Sequence, residues 1–254
     1  MATIIALRPS HLLPVLLLAA CSAALAQTPL NQSIPLKTGQ RVKFTFDYPE
    51  LIRISTWDKN EIAVRGTVSI NNGENDDAFA LDVSSNGDVV EVRGRINDMD
   101  NLPHRITVVS DGVKTTFKDE AEWRKYRKEN GKSGYDRMSR GVDLNIQLEI
   151  FVPVRVATQL VSVYGMVEVR QFDGPLRVEA TYGGVDASLT ESVTGELVAE
   201  TNYGHIYSDL KLQFDASNTR EENFHTLVTA KPGKGPAYRF ESAYGNVYLR
   251  RSQP

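Results

Sequence analysis

The chain has 254 residues, a net charge of −3 and one cysteine. Mild acidity argues against a nucleic-acid partner, and a lone cysteine excludes an intramolecular disulfide. The first segment, "MATIIALRPSHLLPVLLLAACSAALAQ", carries Arg8, an apolar run from Leu12 to Leu18 and small residues after it. That is the pattern of a secretory signal peptide over residues 1–26, too short and wrongly flanked for a stable membrane span.

Two processing readings follow. Ala24-Leu25-Ala26 before Gln27 fits an A-x-A cleavage site, while Leu18-Ala19-Ala20-Cys21 resembles a lipobox in which Cys21 would be acylated. The apolar "SAALA" after Leu18-Ala19-Ala20-Cys21 favours simple cleavage. Both readings export the protein, to the periplasm or the cell surface. Roughly 225 residues then remain, enough for one elongated domain or two small ones.

From Arg41 the chain alternates apolar and polar residues with a period of two. "RVKFTFDY" puts Val42, Phe44 and Phe46 on one face, and "LIRIST" does the same with Ile52 and Ile54. "EIAVRGTVSI" continues the pattern with Gly66 as an expected bulge, followed by "AFALDVS", "DVVEVRGRI" and "HRITVVS", with turns at "NNGENDD" and "SSNGD". Residues 27–110 read as a β-rich region.

Residues 111–142 break the pattern. "FKDEAEWRKYRKENGKSG" has acids first, bases later and Gly131 as a stop, so the spacing predicts a helix over Phe117–Asn130 and a flexible basic stretch to about Gly141. Trp123 and Tyr126 would dock its face. Arg124, Lys125, Arg127 and Lys128, with Lys132, Arg137 and Arg140 beyond them, make the most basic surface of an otherwise acidic chain. A solvated helix explains them; contact with an anionic lipid or acidic polysaccharide of the envelope is the functional alternative.

"DLNIQLEIFVP" resumes the strands, and residues 143–254 then repeat. Tyr-Gly recurs at Tyr164-Gly165, Tyr182-Gly183, Tyr203-Gly204 and Tyr244-Gly245, at spacings of 18, 21 and 41 residues. The last spacing is close to two periods of about twenty, a solenoid signature. Four residues before each Tyr stand Leu160, Val178, Ala199 and Phe240; two before stand Ser162, Ala180, Thr201 and Ser242. Three after stand Val167, Val185, Ile206 and Val247, and five after stand Val169, Ala187, Ser208 and Leu249. Inward parity switches between Tyr and the third residue after it, which requires a bend. Each Tyr-Gly is therefore a structural corner with a glycine-only backbone, and the parity favours tyrosines turned inward or packed coil on coil. Were they outward, Tyr207 and Tyr248 would extend an aromatic surface. Glu179, Glu200 and Glu241 read as an outward column that neighbouring arginines or solvent would compensate.

"VSVYGMVEV", "VEATYGGVDASL", "VAETNYGHIYSDL", "FESAYGNVYL" and the early "IRISTWDKNEIAVRGTV" resemble the bacterial putative-adhesin domain family. The resemblance spans most of Gln40 to Leu249 apart from the helical insertion. It implies an exported β-solenoid of the cell envelope with no established catalytic residues. The expected fold is thus all-β, a parallel β-helix-like solenoid with coils of about twenty residues, a β-rich N-terminal part and one inserted helix.

Catalytic and metal-binding patterns are weak. His104, His205 and His225 form no H-x-H or H-x-x-x-H pair, G-x-S-x-G is missing, and "KPGKG" at Lys231–Gly235 lacks the phosphate-loop frame. "NDMDN" reads as a turn, and Asp119-Glu120 suit a helix N-terminus. Glu168 and Asp186 share a column and Asp209 lies near it, the one carboxylate group that a polysaccharide hydrolase or lyase could use. The expectation is a non-enzymatic envelope binding or scaffold module without a cofactor, with an envelope protein, glycan or anionic lipid as partner. A carbohydrate-active enzyme, or an accessory or sensor of an envelope pathway, is the alternative.

Overall fold

A computed structural model describes residues 27–252 except 132, 133 and 216. The leader and Cys21 lie outside the described residues. Alternation yields β1 (Thr28–Pro35), β2 (Arg41–Phe46), β3 (Leu51–Trp57), β4 (Glu61–Ile70), β5 (Phe79–Asn86) and β6 (Val89–Ile96). The chain continues through β7 (Arg105–Ser110), β8 (Val113–Phe117), α1 (Glu120–Asn130), β9 (Arg137–Gly141) and β10 (Leu144–Pro153). The repeats give β11 (Thr158–Ser162) and β12 (Met166–Val169), then β13 (Leu176–Ala180) and β14 (Val185–Leu189), then β15 (Leu197–Thr201) and β16 (Ile206–Ser208). A hairpin, β17 (Arg220–Glu222) and β18 (His225–Ala230), precedes β19 (Tyr238–Ser242) and β20 (Val247–Arg251).

The fold is all-β. One sheet runs β1-β4-β10-β3-β12-β14-β20-β16 and the other β17-β18-β15-β19-β13-β11-β2-β6-β5. Both are mixed and neither closes: parallel strands fill their centres, and antiparallel pairs stand at the N-terminal ends of both and at the far end of the second. β1 is an edge strand, the place where a sheet tolerates prolines such as Pro29 and Pro35.

Each repeat supplies one strand to each sheet, joined at its Tyr-Gly bend, and we call such a pair a rung. β2 and β3 make a rung of the same kind around Tyr48-Pro49. Across the second sheet, Phe44, Leu160, Val178, Phe240 and Ala199 stand in register and fully buried. Opposite them, Ile52, Val167, Val185 and Val247 form the matching buried row. Burying side chains of this size stabilises by roughly 1.5–3 kcal/mol each, so these two rows hold the sheets together.

Stacking does not follow chain order. The rung containing Tyr244 lies between those of Tyr182 and Tyr203: β19 pairs with both β13 and β15, and β20 with both β14 and β16. The chain leaves one rung's width open after β14 and fills it with its last two strands. The 41-residue spacing is thus a detour through the β17–β18 hairpin rather than a coil lacking its dipeptide.

Three local expectations change. Register runs unbroken through Gly66, which faces Leu30 on one side and Leu148 on the other, so there is no bulge; a Cβ there would lie 2.0 Å from the Gln147 carbonyl oxygen. The helix starts at Glu120, because Asp119 is its N-cap and accepts from the Glu122 amide at 2.9 Å, while the Glu122 carboxylate takes the Lys118 amide. The stretch expected to be flexible up to Gly141 contains β9, which pairs antiparallel with β7. With β8 these form a three-stranded sheet covered by α1, around a separate core of Ile106, Val108, Phe117 and Trp123.

Candidate functional site

The rung bends are built by close backbone approach. A Cβ on Gly183 would lie 1.5 Å from the Gly165 carbonyl oxygen, one on Gly245 2.1 Å from that of Gly183, and one on Gly204 1.9 Å from that of Gly245. Only Gly165 of the four has a left-handed backbone, with φ +81°. For the other three, glycine is demanded by the neighbouring rung, not by a conformation closed to other residues. In two of the bends a hydroxyl three residues before the glycine locks the turn. Buried Ser242 donates to the Gly183 carbonyl at 2.7 Å and accepts the Gly245 amide at 2.9 Å. Thr201 does the same between the Gly245 carbonyl and the Gly204 amide, at 2.9 and 3.0 Å.

This tight backbone turns the tyrosines outward, contrary to the parity expectation. Tyr occupies the bend itself, outside either strand, so strand alternation does not govern it. Tyr164, Tyr182, Tyr244 and Tyr203 are 48, 57, 53 and 61% exposed. Their rings stack in that order, with centroids 5.3, 5.1 and 5.1 Å apart and planes within 17° of parallel. The sequence reading missed both ends of the row. Tyr48 stacks on Tyr164 at 6.3 Å, and Phe224, at the β17–β18 turn, stacks on Tyr203 at 5.6 Å. Neither precedes a glycine. Tyr48 follows buried Phe44 by four residues, as the other tyrosines follow an apolar residue, but Phe46 stands where those rungs carry a small one.

The result is a continuous stripe of six rings along the stacking axis. Because the rings spend their faces on one another, solvent meets edges and hydroxyls, and none of the four Tyr-Gly hydroxyls hydrogen-bonds within the described residues. Phe224, 72% exposed, is the end ring. Tyr207 and Tyr248 form their own stacked pair at 5.2 Å on the outer face of the β16–β20 ladder, with His205 edge-on to Tyr207 at 6.0 Å and Arg250 over Tyr248 at 5.1 Å.

Charged columns flank the stripe. Arg177 bridges Glu179 at 2.9 Å and Glu241 at 3.2 Å. Arg239 pairs with Glu241 and reaches Glu200 at 2.6 Å, while His225 meets Glu200 at 3.0 Å. Arginines thus compensate the glutamate column. On the other sheet Glu168 pairs with Arg53 at 3.0 Å, Asp186 with Arg250 at 2.8 Å, and Asp209 accepts the Arg251 amide at 2.5 Å. Glu168 and Asp186 are register neighbours bridged by Arg170, at 3.6 and 3.7 Å, and Asp209 is held apart from them by its own backbone contact.

The basic residues of α1 belong to the small sheet. Arg124 pairs with Glu120 at 3.4 Å, Arg127 lies 5.7 Å from the Trp123 ring, and Lys125 and Lys128 are exposed. No ring or ion-pair contact joins them to the stripe among the described residues. No helix among the described residues is long and apolar enough to cross a membrane.

No family model and no curated protein matches the chain. Among solved structures it is similar to one described as a "putative cell adhesion protein" from Clostridium sporogenes, with a TM-score of 0.48 and 9% identity, over 89% of this chain and 100% of that one. It is also similar to a "putative adhesin" from Bacteroides fragilis, with a TM-score of 0.24 and 10% identity, over 90% and 99% of the two chains. Likeness at this level leaves function to be argued from this chain's own surface.

Proposed function

We propose that the protein is an exported, non-enzymatic, adhesin-like module of the cell envelope, a short solenoid with interleaved rungs whose contact surface is the aromatic stripe. The observation that carries this reading is the stripe itself: six rings in one line, each Tyr-Gly tyrosine about half exposed, on a backbone that leaves them little freedom. Rigid tyrosines supply amphipathic contact area at low entropic cost, and an apolar strip that the core does not need marks an interaction site. What favours binding over catalysis is the state of Glu168, Asp186 and Asp209, each engaged with an arginine side chain or a backbone amide. The leader pattern supports export.

The test is adsorption of the purified mature protein to immobilised neutral envelope glycans and envelope proteins. Tyr182→Ser/Tyr244→Ser should abolish the adsorption while leaving the thermal unfolding cooperative. Unchanged adsorption in that variant would remove the stripe from the function, and turnover of a polysaccharide substrate would replace binding with catalysis.

A further inference from the structure

The outer face of the second sheet holds a groove of about 620 Å³ near the starts of its parallel strands. This volume lies within the range of ligand sites. The groove crosses the strands, so it runs parallel to the stacking axis. Its floor is a row of register neighbours: Lys43 faces Gln159, Gln159 faces Arg177, Arg177 faces Arg239, and Arg239 faces Val198. Arg41 lines its end. Neighbouring strands stand about 4.8 Å apart, so cations stand at Lys43, Arg177 and Arg239, with Gln159, whose amide donates to Glu179, between the first two and Val198 beyond the last.

The guanidiniums are oriented. Arg177 spends Nε and Nη2 on Glu179 and Glu241, and Arg239 spends them on Glu241 and Glu200. The glutamate row holds both planes and leaves each Nη1 without a hydrogen bond among the described residues. Lys43 has no ion-pair partner among the described residues. A cationic row therefore lies beside an anionic one, with donors and acceptors both in reach of a ligand along the axis.

We propose that this groove binds a linear acidic polysaccharide of the uronic-acid class. Its carboxylates would meet Lys43, Arg177 and Arg239, and its hydroxyls would donate to the glutamate row. An extended peptide places same-side groups about 6.7 Å apart, out of step with strands about 4.8 Å apart. A peptide on this face also finds no free backbone partners, since the ladders on both sides of β11, β13 and β19 are filled. The proposal does not depend on the aromatic stripe.

The test is affinity electrophoresis of the mature protein in gels containing polygalacturonate, dextran or polyglutamate, with titration calorimetry for the retained polymer. Retardation by polygalacturonate alone is expected, weakening with salt. Arg177→Gln/Arg239→Gln should reduce affinity tenfold or more, the loss of two charge-assisted contacts. Lys43→Glu should reduce it severalfold without freeing any buried charge, which covers the case in which the double variant misfolds. Tyr182→Ser/Tyr244→Ser should bind polygalacturonate as the parent does. Lack of retardation, equal retardation by dextran, stronger retardation by polyglutamate, or undiminished binding in Lys43→Glu and a folded arginine variant would each overturn the proposal.

Discussion

Gly183 lies so close to Gly165 that a single added methyl group would sit 1.5 Å from the Gly165 carbonyl oxygen. The obstacle is backbone, which no rotamer change can move. Gly183→Ala should therefore destabilise by about 3 kcal/mol or more, the upper end of overpacking costs. Gly141→Ala is the control, because nothing lies within 4 Å of a Cβ there, and it should shift stability by less than about 0.5 kcal/mol. Urea unfolding of both variants reads the difference.

Removing one ring from the middle of the stripe costs two stacked pairs but little buried area. Tyr182→Ala should destabilise by about 1–2 kcal/mol. Phe240→Ala, in the fully buried row behind it, should cost about 3–5 kcal/mol. A Tyr182 variant as damaging as the Phe240 variant would mean that the stripe serves folding more than contact.

Tyr238 is buried, and its hydroxyl donates to the Phe172 carbonyl at 2.6 Å. Burial, with the charge of Asp173, pushes its pKa up to about 12. A folded pKa above the unfolded one contributes stability that is complete below about pH 10 and lost as pH rises through the folded value. Alkaline melts should lose on the order of 2 kcal/mol between about pH 10 and 12. Tyr238→Phe should start less stable, for want of the hydrogen bond, and show a flatter loss in that window.

On the acid side the Lys211 amide and Arg251 hold the Glu191 carboxyl below its usual range, as Ser217 and Asn218 do for Asp215. Depressed folded values mean stability present above the unfolded carboxylate range and lost as pH falls through the folded pKa. Melting temperature should be level from neutral pH to about 5 and fall below about 4. Glu191→Gln should fall less steeply.

The small sheet under α1 has its own apolar cluster, separate from the main core. Trp123→Ala should therefore unfold residues 105–141 locally and leave the two large sheets intact. Hydrogen exchange would show protection lost in β7, β8, α1 and β9 and kept in β11 and β13. Global unfolding of that variant would contradict the separation.

Much of this architecture was legible because its columns are chemical. Leu160, Val178, Ala199 and Phe240 follow from alternation alone, and the Ser-Ala-Thr-Ser column foretells a space where only small groups fit. The direction of the tyrosines was not legible, because parity was carried through residues that belong to no strand. Ser208 shows a second limit: its column is buried at Val169, Ala187 and Leu249, yet Ser208 is exposed because β16 is the sheet edge. Periodicity also treats repeats as interchangeable. Any stacking order of the rungs satisfies the same columns, so the placing of Tyr244 between Tyr182 and Tyr203 had no signature in them. The Arg177 and Arg239 row stands five residues before Tyr182 and Tyr244, in a column whose Gln159 and Val198 hide its basic character.

That placing sets the order of assembly. Until β19 and β20 arrive, β15 and β16 face a gap, and the β17–β18 hairpin has nothing firm to rest on. The last two strands act as a keystone, because β15 and β16 reach the rest of their sheets only through β19 and β20.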